Sequence, residues 1–228
     1  MKRPEYRRVE PEEQSQAGAA EPAPMTAGAA ALAVLCAVLW GGLAVSVRYT
    51  QESLPPMATA GFRFAIATAL LGITAPWRRI SLAVDARQLL QIVPVGLLLF
   101  VQIGTFHFGL AHTNSSHGSV LIGSYPVFVA LAAHFALRGD RVSLPKFAGL
   151  MTAFAGLLAI VAGASPHAPG ISADPATFRG DAIILFSSML IGINTVLSKR
   201  ALVTVGVYQL LFWSNVLATA LFFAASLT

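Results

Sequence analysis

The sequence predicts an all-α integral membrane protein with seven transmembrane helices. Of its 228 residues, 56% are hydrophobic and only 11% are charged, whereas a soluble domain carries about 25% charged residues. Seven apolar runs are each long enough to cross a bilayer, which takes about 20 residues of helix. They are too long for barrel strands of about ten residues and lack period-two alternation, so we expect helices.

The chain divides into a short polar tail and a long hydrophobic remainder. Residues 1–24 hold nine charged residues, several prolines and few apolar side chains, which is typical of disorder. No apolar core directly follows the basic start, so we do not interpret the tail as a signal peptide. The seven spans are predicted at about residues 26–47, 57–77, 89–111, 114–137, 147–163, 182–200 and 205–228.

Lysine and arginine residues predict the orientation of the spans, because they are enriched in cytoplasmic loops. With a cytoplasmic tail, twelve of the fifteen fall on the cytoplasmic side. We therefore expect a protein of the cell membrane, plasma or inner, with a cytoplasmic N-terminus. This orientation argues against a seven-helix receptor, whose N-terminus would be outside. The net charge of +5 does not indicate a nucleic-acid partner, because the charges lie at the ends of apolar runs.

Small residues recur about every four positions along three of the predicted spans. Examples are Gly61 and Gly72 in the second span and Gly149 and Gly156 in the fifth. Such stripes let two membrane helices approach closely, so we interpret them as packing surfaces. The single cysteine, Cys36, lies inside an apolar run and is interpreted as a small packing residue.

A weak internal repeat relates the first span to the sixth. Leu39, Gly41, Val45 and Arg48 align with Leu190, Gly192, Val196 and Lys199 at a constant offset of 151 residues. The two spans cross the membrane in opposite directions, as in the inverted repeats common in secondary transporters. We predict a disordered tail at 1–24, a five-helix repeat at 25–163, an external loop at 164–179 and an incomplete second repeat at 180–228. The architecture is then an inverted 5+5 helix repeat whose last three helices are missing.

Several short segments, in this order, resemble motifs of one transporter family. They are Leu39-Trp40-Gly41-Gly42, Pro55 or Pro56 followed by Arg63-Phe64, Pro126-Val127-Phe128, Gly139-Asp140-Arg141-Val142-Ser143, Gly180-Asp181 and Ser198-Lys199-Arg200. Together they resemble the EamA-type transporters of the drug/metabolite transporter (DMT) superfamily, over about residues 27–228. Asp140 stands where the family usually has a glutamate.

The resemblance implies ten helices in two inverted repeats, around a cavity that opens alternately to each side. It also implies secondary transport, with export of a small metabolite or drug-like solute. The sequence has no nucleotide-binding loop, so we do not expect ATP-driven transport. Neither an enzyme nor a bound cofactor or metal is expected. The expected partners are the lipid bilayer and a small-molecule substrate. A coupling proton, with facilitative transport as the alternative, and a second copy of the chain in a homodimer are further candidates.

Arg63 is the sharpest individual signal, because it lies about 12 Å into an apolar helix. A charge there costs on the order of 2.5–3.5 kcal/mol on insertion scales. It either lines the cavity and receives an anionic group or coupling carboxylate, or it is a structural arginine bonded to helix carbonyls. The other candidates for cavity contacts are polar or amphipathic residues of the spans: Trp40, Gln102, His107, Ser116, His117, Tyr125 and Asn194.

Pro126 is the candidate hinge of the fourth span. It would leave the carbonyl of Ile122 without its helical partner and bend the helix, and we favour a static kink over a hinge. Asn114, Ser115 and Ser116 are expected to cap this helix. Anion binding at its N-terminus is the second interpretation.

His107, His112 and His117 recur every five residues, which places neighbours about 140° apart around a helix. A shared metal site is therefore not expected. We interpret His107, the deepest of the three, as a hydrogen-bonded interhelical residue, with titration in the pathway as the alternative.

Two other functions stay open beside transport. The first is a non-transporting membrane fragment of such a transporter, because the predicted ten-helix architecture would lack three helices of its second repeat. The second is an intramembrane hydrolase that uses Ser115 or Ser116 with a histidine. We disfavour the hydrolase because the sequence shows no third orienting group and no oxyanion motif.

Overall fold

The computed structural model describes residues 26–136, 144–162 and 175–227, and every regular element in these ranges is a helix. In chain order the helices are α1 (Ala27–Gly41), α2 (Leu43–Thr50), α3 (Pro56–Trp77), α4 (Ala86–Ala111), α5 (Ser115–Ile122), α6 (Tyr125–Ala136), α7 (Leu144–Ala162), α8 (Pro175–Ala201) and α9 (Val207–Ser226). The predicted all-α fold is confirmed. Its physical basis is that a segment in hydrocarbon must satisfy its backbone groups internally.

Six segments of the described residues are long and apolar enough to cross a membrane. They are Ala27–Thr50, Pro56–Trp77, Ala86–Ala111, Ser115–Ala136, Phe178–Ala201 and Val207–Ser226, and they coincide with six of the seven predicted spans. The fifth predicted span corresponds to α7, which contains a shorter apolar helix at Phe147–Gly156. The tail at 1–24, the turn at 139–143 and the loop at 164–174 lie outside the described residues.

The chain forms two compact units, Met1–Trp40 and Gly41–Thr228. In the first unit, the described part is essentially α1, and none of the residues of this helix is buried. Trp40 lies at its end, with 56% of its surface uncovered by protein.

In the second unit, α8 packs against α4, α5 and α6, while α9 packs against α3 and α4. Three clusters of buried apolar side chains fill these contacts. The first joins α2, α4, α5 and α8 around Leu110 and Ile184, the second joins α4, α8 and α9 around Ile92, and the third joins α3 to α9 around Phe222. The bundle is therefore held by apolar packing along the whole length of α4.

Glycine lets α8 touch the backbone of its neighbours. A Cβ atom on Gly192 would lie 2.6 Å from the backbone carbonyl carbon of Phe128 in α6. A Cβ atom on Gly180 would lie 2.6 Å from the backbone carbonyl carbon of His112, just after α4. Real Cβ atoms do not approach this closely, so both crossings require glycine.

The predicted packing stripe of the second span is confirmed at Gly61, where a Cβ atom would lie 3.3 Å from the ring of Phe223 in α9. The stripe of the fifth span differs. A Cβ atom on Gly149 or Gly156 in α7 would have no atom of the described residues within 4 Å. Packing at this second stripe stays a prediction.

The fourth span consists of two helices that are separated by a break just before Pro126. The break falls at Gly123 and Ser124, and Pro126 lies in the first turn of α6, where its missing N–H removes no bond from within α6. The carbonyl of Leu121 accepts from the backbone N–H of Ser124 at 3.1 Å and from its hydroxyl at 2.7 Å. The break thus lies between Ile122 and Pro126, which is where a proline disrupts a helix, and the Ser124 hydroxyl adds to it by competing for a helical carbonyl. Whether the bend acts as a hinge stays a prediction.

α8 begins at Pro175, whereas the sixth span is predicted to begin after Asp181. The predicted start is wrong, because the helix begins at a proline, which is favoured at the first helical position. Asp181 consequently lies inside a helix and within the candidate span Phe178–Ala201.

Gly192→Ala is expected to destabilise the protein by about 1–3 kcal/mol, because the added methyl group would overlap the α6 backbone. Gly149→Ala is the matched control, since its position is open and alanine favours a helix by about 1 kcal/mol over glycine. Thermal unfolding in detergent should show a lower Tm for Gly192→Ala alone. An unchanged Tm would contradict the close crossing of α6 and α8.

Candidate functional site

Gln102 of α4 and Asn194 of α8 form a polar contact inside the bundle. Both side chains are buried, and Asn194 Nδ2 donates to Gln102 Oε1 at 3.3 Å. The Oδ1 atom of Asn194 has no hydrogen-bond partner within the described part of the chain. Gln102 is nine residues from the end of α4, or about 14 Å along the axis. The structure thus brings two predicted cavity residues together deep inside the helix bundle.

Two serines of α8 bind backbone carbonyls of neighbouring helices. Ser187 Oγ donates to the carbonyl of Gln102 at 2.8 Å, and Ser188 Oγ donates to the carbonyl of Leu121 at 3.0 Å. Both serines are fully buried. Because Leu121 lies next to the break between α5 and α6, these bonds fix the register of α8 against both α4 and α5.

Arg63 lies in α3, two helical turns from Pro56 at its start. One guanidinium nitrogen, Nη1, is buried and has no hydrogen-bond partner among the described residues. The guanidinium carbon lies 5.8 Å from the centre of the Phe64 ring, within the range of a cation–π contact. Nη1 therefore does not bind a helix carbonyl of the described residues, as the interpretation of Arg63 as a structural arginine would require.

His107 of α4 is completely buried. The ring lies against the Pro56 carbonyl of α3 and near the Arg63 guanidinium, but neither ring nitrogen makes a well-aligned hydrogen bond to the described residues. The hydrogen-bonded interhelical histidine therefore stays a prediction. The backbone of His107 does make an interhelical bond, because its carbonyl accepts from Gln51 Nε2 at 3.0 Å.

A cavity of about 240 Å³ lies at the end of α4, next to Gln51. It is lined by Arg48, Gln51, Glu52, Pro56 and Ala111. A second cavity, of about 230 Å³, lies toward the opposite end of α4 and is lined by Gln91, Pro94, Leu197, Arg200 and Ala201. The Gln102–Asn194 contact lies between the two along α4.

Asp181 is the centre of a cluster that the sequence analysis missed. Its Oδ2 lies 2.7 Å from His117 Nδ1, and its Oδ1 accepts from the Thr113 hydroxyl at 2.6 Å. The side chains of His117 and Asp181 are only 2% and 15% exposed. One signal was available: Asp181 is the one acidic residue within the six candidate spans of the described chain.

Asn114 caps α5, as predicted. Its Oδ1 accepts from the backbone N–H of His117 at 2.8 Å. Ser116 is uncovered in the first turn of α5, and Tyr125 is half-buried at the first position of α6. The structure therefore places these two cavity candidates on the broken fourth span, and it places Trp40 in the other compact unit.

The His117–Asp181 pair supplies the orienting group that the hydrolase alternative lacked. A hydrolase also needs a nucleophile on the other ring nitrogen, but His117 Nε2 has no partner among the described residues. The Ser116 hydroxyl therefore does not form a hydrogen bond to His117 Nε2. Within the same residues, no group of three or more histidine, cysteine, aspartate or glutamate side chains could hold a metal ion.

The arrangement of apolar spans with a few buried polar side chains is typical of membrane transporters. Residues 27–162 match the EamA-like transporter family. The chain belongs to this family. The membership confirms the resemblance to EamA-type transporters of the DMT superfamily.

Some curated relatives of this EamA-like chain are described as uncharacterized transporters. It is 24% identical to the uncharacterized transporter YoaV of Bacillus subtilis (strain 168), over 77% of the chain and 59% of the relative. An uncharacterized transporter of Archaeoglobus fulgidus is 26% identical over 75% of the chain and 57% of its own length. Protein PagO of Salmonella typhimurium is 28% identical over 57% of the chain and 43% of its own length. The chain thus spans about half the length of the curated relatives it matches. No solved structure matches it.

Asp181→Ala is expected to destabilise the EamA-like protein by about 1–3 kcal/mol, because it leaves the His117 ring and the Thr113 hydroxyl without their partner. Asp181→Asn is the matched control, since an amide can accept from Thr113 and donate to a neutral imidazole. We expect a smaller loss for Asn, measured by thermal unfolding in detergent. Equal losses would show that charge, and not hydrogen bonding, holds the cluster, while an unchanged Tm for Asp181→Ala would contradict its structural role.

Proposed function

We propose that this EamA-like protein is a secondary transporter that exports a small metabolite or drug-like solute by alternating access. The observation that carries the proposal is the buried contact between Gln102 and Asn194. Polar side chains deep in a membrane are rare and mark solute pathways or interhelical contacts. Asn194 Oδ1 has no partner among the described residues, so the pair keeps an acceptor for a solute.

Two of the cavities along α4, at opposite ends of this helix, support a pathway with two openings. The cavity that includes Gln91 and Pro94 is built by α4 and α8, the same two helices that carry Gln102 and Asn194. Gln102 is eight residues, or about 12 Å, beyond Pro94 along α4. A small rearrangement of α8 against α4 would therefore change access to the polar pair from that end.

The proposed orientation places the N-terminus in the cytoplasm of a cell whose plasma or inner membrane holds the protein. The distribution of lysine and arginine supports it. In the proposed architecture, α8 and α9 open the second of two inverted repeats. Transport is driven by a proton gradient or is facilitative. A reporter that matures only in the cytoplasm, fused to Met1, tests the orientation.

Asn194→Leu is expected to lower export at least about threefold, since an interhelical polar contact in a membrane contributes about 0.6–1.7 kcal/mol. The solute is found first, by comparing the metabolites released by cells with and without the protein. Its labelled form is then supplied to inverted membrane vesicles, and initial rates are measured. Loss of accumulation with a protonophore would support proton coupling, and unchanged transport would support a facilitative mechanism.

Thr195→Val is the matched control for Asn194→Leu. Thr195 is the next residue of α8, is uncovered, and donates its hydroxyl to the Ile191 carbonyl of its own helix at 2.8 Å. Normal export by Asn194→Leu protein, present in normal amount, would argue against a pathway at this contact. Absence of transport by the wild-type chain, with transport by a chain joined to further spans, would favour the non-transporting alternative.

A further inference from the structure

We propose that the transported solute carries a carboxylate and that the Arg63 cluster, defined as Gln51, Thr59, Arg63 and His107, binds it. The inference rests on the proposed function, because it names the substrate class of the same pathway. Its evidence is separate from the Gln102–Asn194 contact. It comes from the buried atoms, the geometry and the charge of the helix ends around the cavity of about 240 Å³.

The four side chains share one property. Each has a buried polar atom without a hydrogen-bond partner in the described ranges: Gln51 Oε1, Thr59 Oγ1, Arg63 Nη1 and both ring nitrogens of His107. Buried polar groups in proteins are nearly always bonded, because an unmade bond is costly away from water. A local concentration of unmade bonds next to a cavity indicates that a polar ligand binds there.

The helix geometry places Arg63 and His107 on the same helix faces as the cavity, but deeper in the bundle. Pro56 and Arg63 are seven residues apart on α3, which returns to the same helix face after almost two turns. Ala111 and His107 are four residues apart on α4 and also share a face. Since Pro56 and Ala111 both line the cavity and α3 packs against α4, Arg63 and His107 lie deeper along the two walls.

The charge of the cluster selects the ligand class. The ion pair that the described residues form joins His117 to Asp181, and Arg63 has no carboxylate within ion-pair distance among them. A guanidinium binds a carboxylate through two parallel hydrogen bonds, and the Thr59 hydroxyl can donate to the same oxygens. A ligand carboxylate would therefore supply both the missing charge and the missing acceptors.

The size of the cavity favours a small acid. Its volume of about 240 Å³ is below the range of about 300–1,000 Å³ that is usual for drug-sized ligands. The mouth carries Arg48 and Glu52 in addition to the Gln51 amide, so polar groups on the remainder of the solute would also find partners.

Equilibrium binding to the intact protein in phosphatidylcholine nanodiscs tests the inference. The probes are labelled acetate, benzoate and succinate, each compared with its neutral amide at matched ionic strength. We expect at least one acid to bind at least about tenfold more tightly than its amide, a gap that corresponds to about 1.4 kcal/mol. Arg63→Gln should remove this preference, and Arg63→Lys should retain part of it. If no acid is preferred, or if Arg63→Gln keeps the preference, the proposal is wrong.

Arg78→Gln is the matched control, because it removes the same charge from the exposed opposite end of α3 and should leave binding unchanged. Thr59→Val is a second, nearly isosteric variant, which should weaken acid binding while the amide affinity stays constant. Without any acid, Arg63→Met should unfold at the same or a higher Tm than the wild type, since it removes an uncompensated buried charge. If Arg63→Met clearly lowers the Tm and Thr59→Val does not change acid binding, Arg63 is a structural arginine instead.

The outcomes separate this inference from the proposed function. If export depends on Asn194 but acid binding does not depend on Arg63, the proposed transport is supported and the proposed substrate class is wrong. Acid binding that depends on Arg63, without net movement of any solute in vesicles, would support the site and contradict transport by this chain.

Discussion

The close approach of α8 to its neighbours is the constraint on which the rest of the second unit depends. Gly180 and Gly192 bring the backbone of α8 against the end of α4 and against α6. At that separation, short serine side chains reach the carbonyls of Gln102 and Leu121. The same register sets Asp181 against the start of the fourth span. Packing and polar contacts are therefore not independent in this bundle, and a larger side chain at either crossing would disturb both.

The sequence predicts the helices well, because the length and apolarity of a run decide whether it can span a membrane. Arg63, Gln102 and Asn194 could be identified as polar residues within such runs. The contact between His117 and Asp181 could not, since 64 residues separate the two and the register between two helices depends on many packing contacts at once. The role of each cavity candidate stays a prediction, because function depends on that register as well as on residue type.

Buried polar groups of the second unit are of two kinds. Those of Ser187, Ser188 and Asp181 are bonded to other helices or to the loop before α5. Those around Arg63 and His107 are not bonded within the described residues. In hydrocarbon the first kind holds helices together, whereas the second raises the free energy of the arrangement until a partner arrives. Asn194 Oδ1 of α8 is also of the second kind, so bonded and unbonded polar atoms occur on the same helix.

The charge of Arg63 also gives a physical reason for binding and movement to be coupled. Enclosing a lone cation on all sides within a membrane is costly, while a cation beside a carboxylate is a neutral pair whose enclosure costs less. A ligand shifts a conformational equilibrium only by its different affinities for the two states. A carboxylate that contacts Arg63 would therefore lower the free energy of closing the protein at both ends, compared with closing it without solute. The empty protein would have to close around an uncompensated charge, so we expect its return, rather than the movement of the loaded form, to limit the rate of a transport cycle.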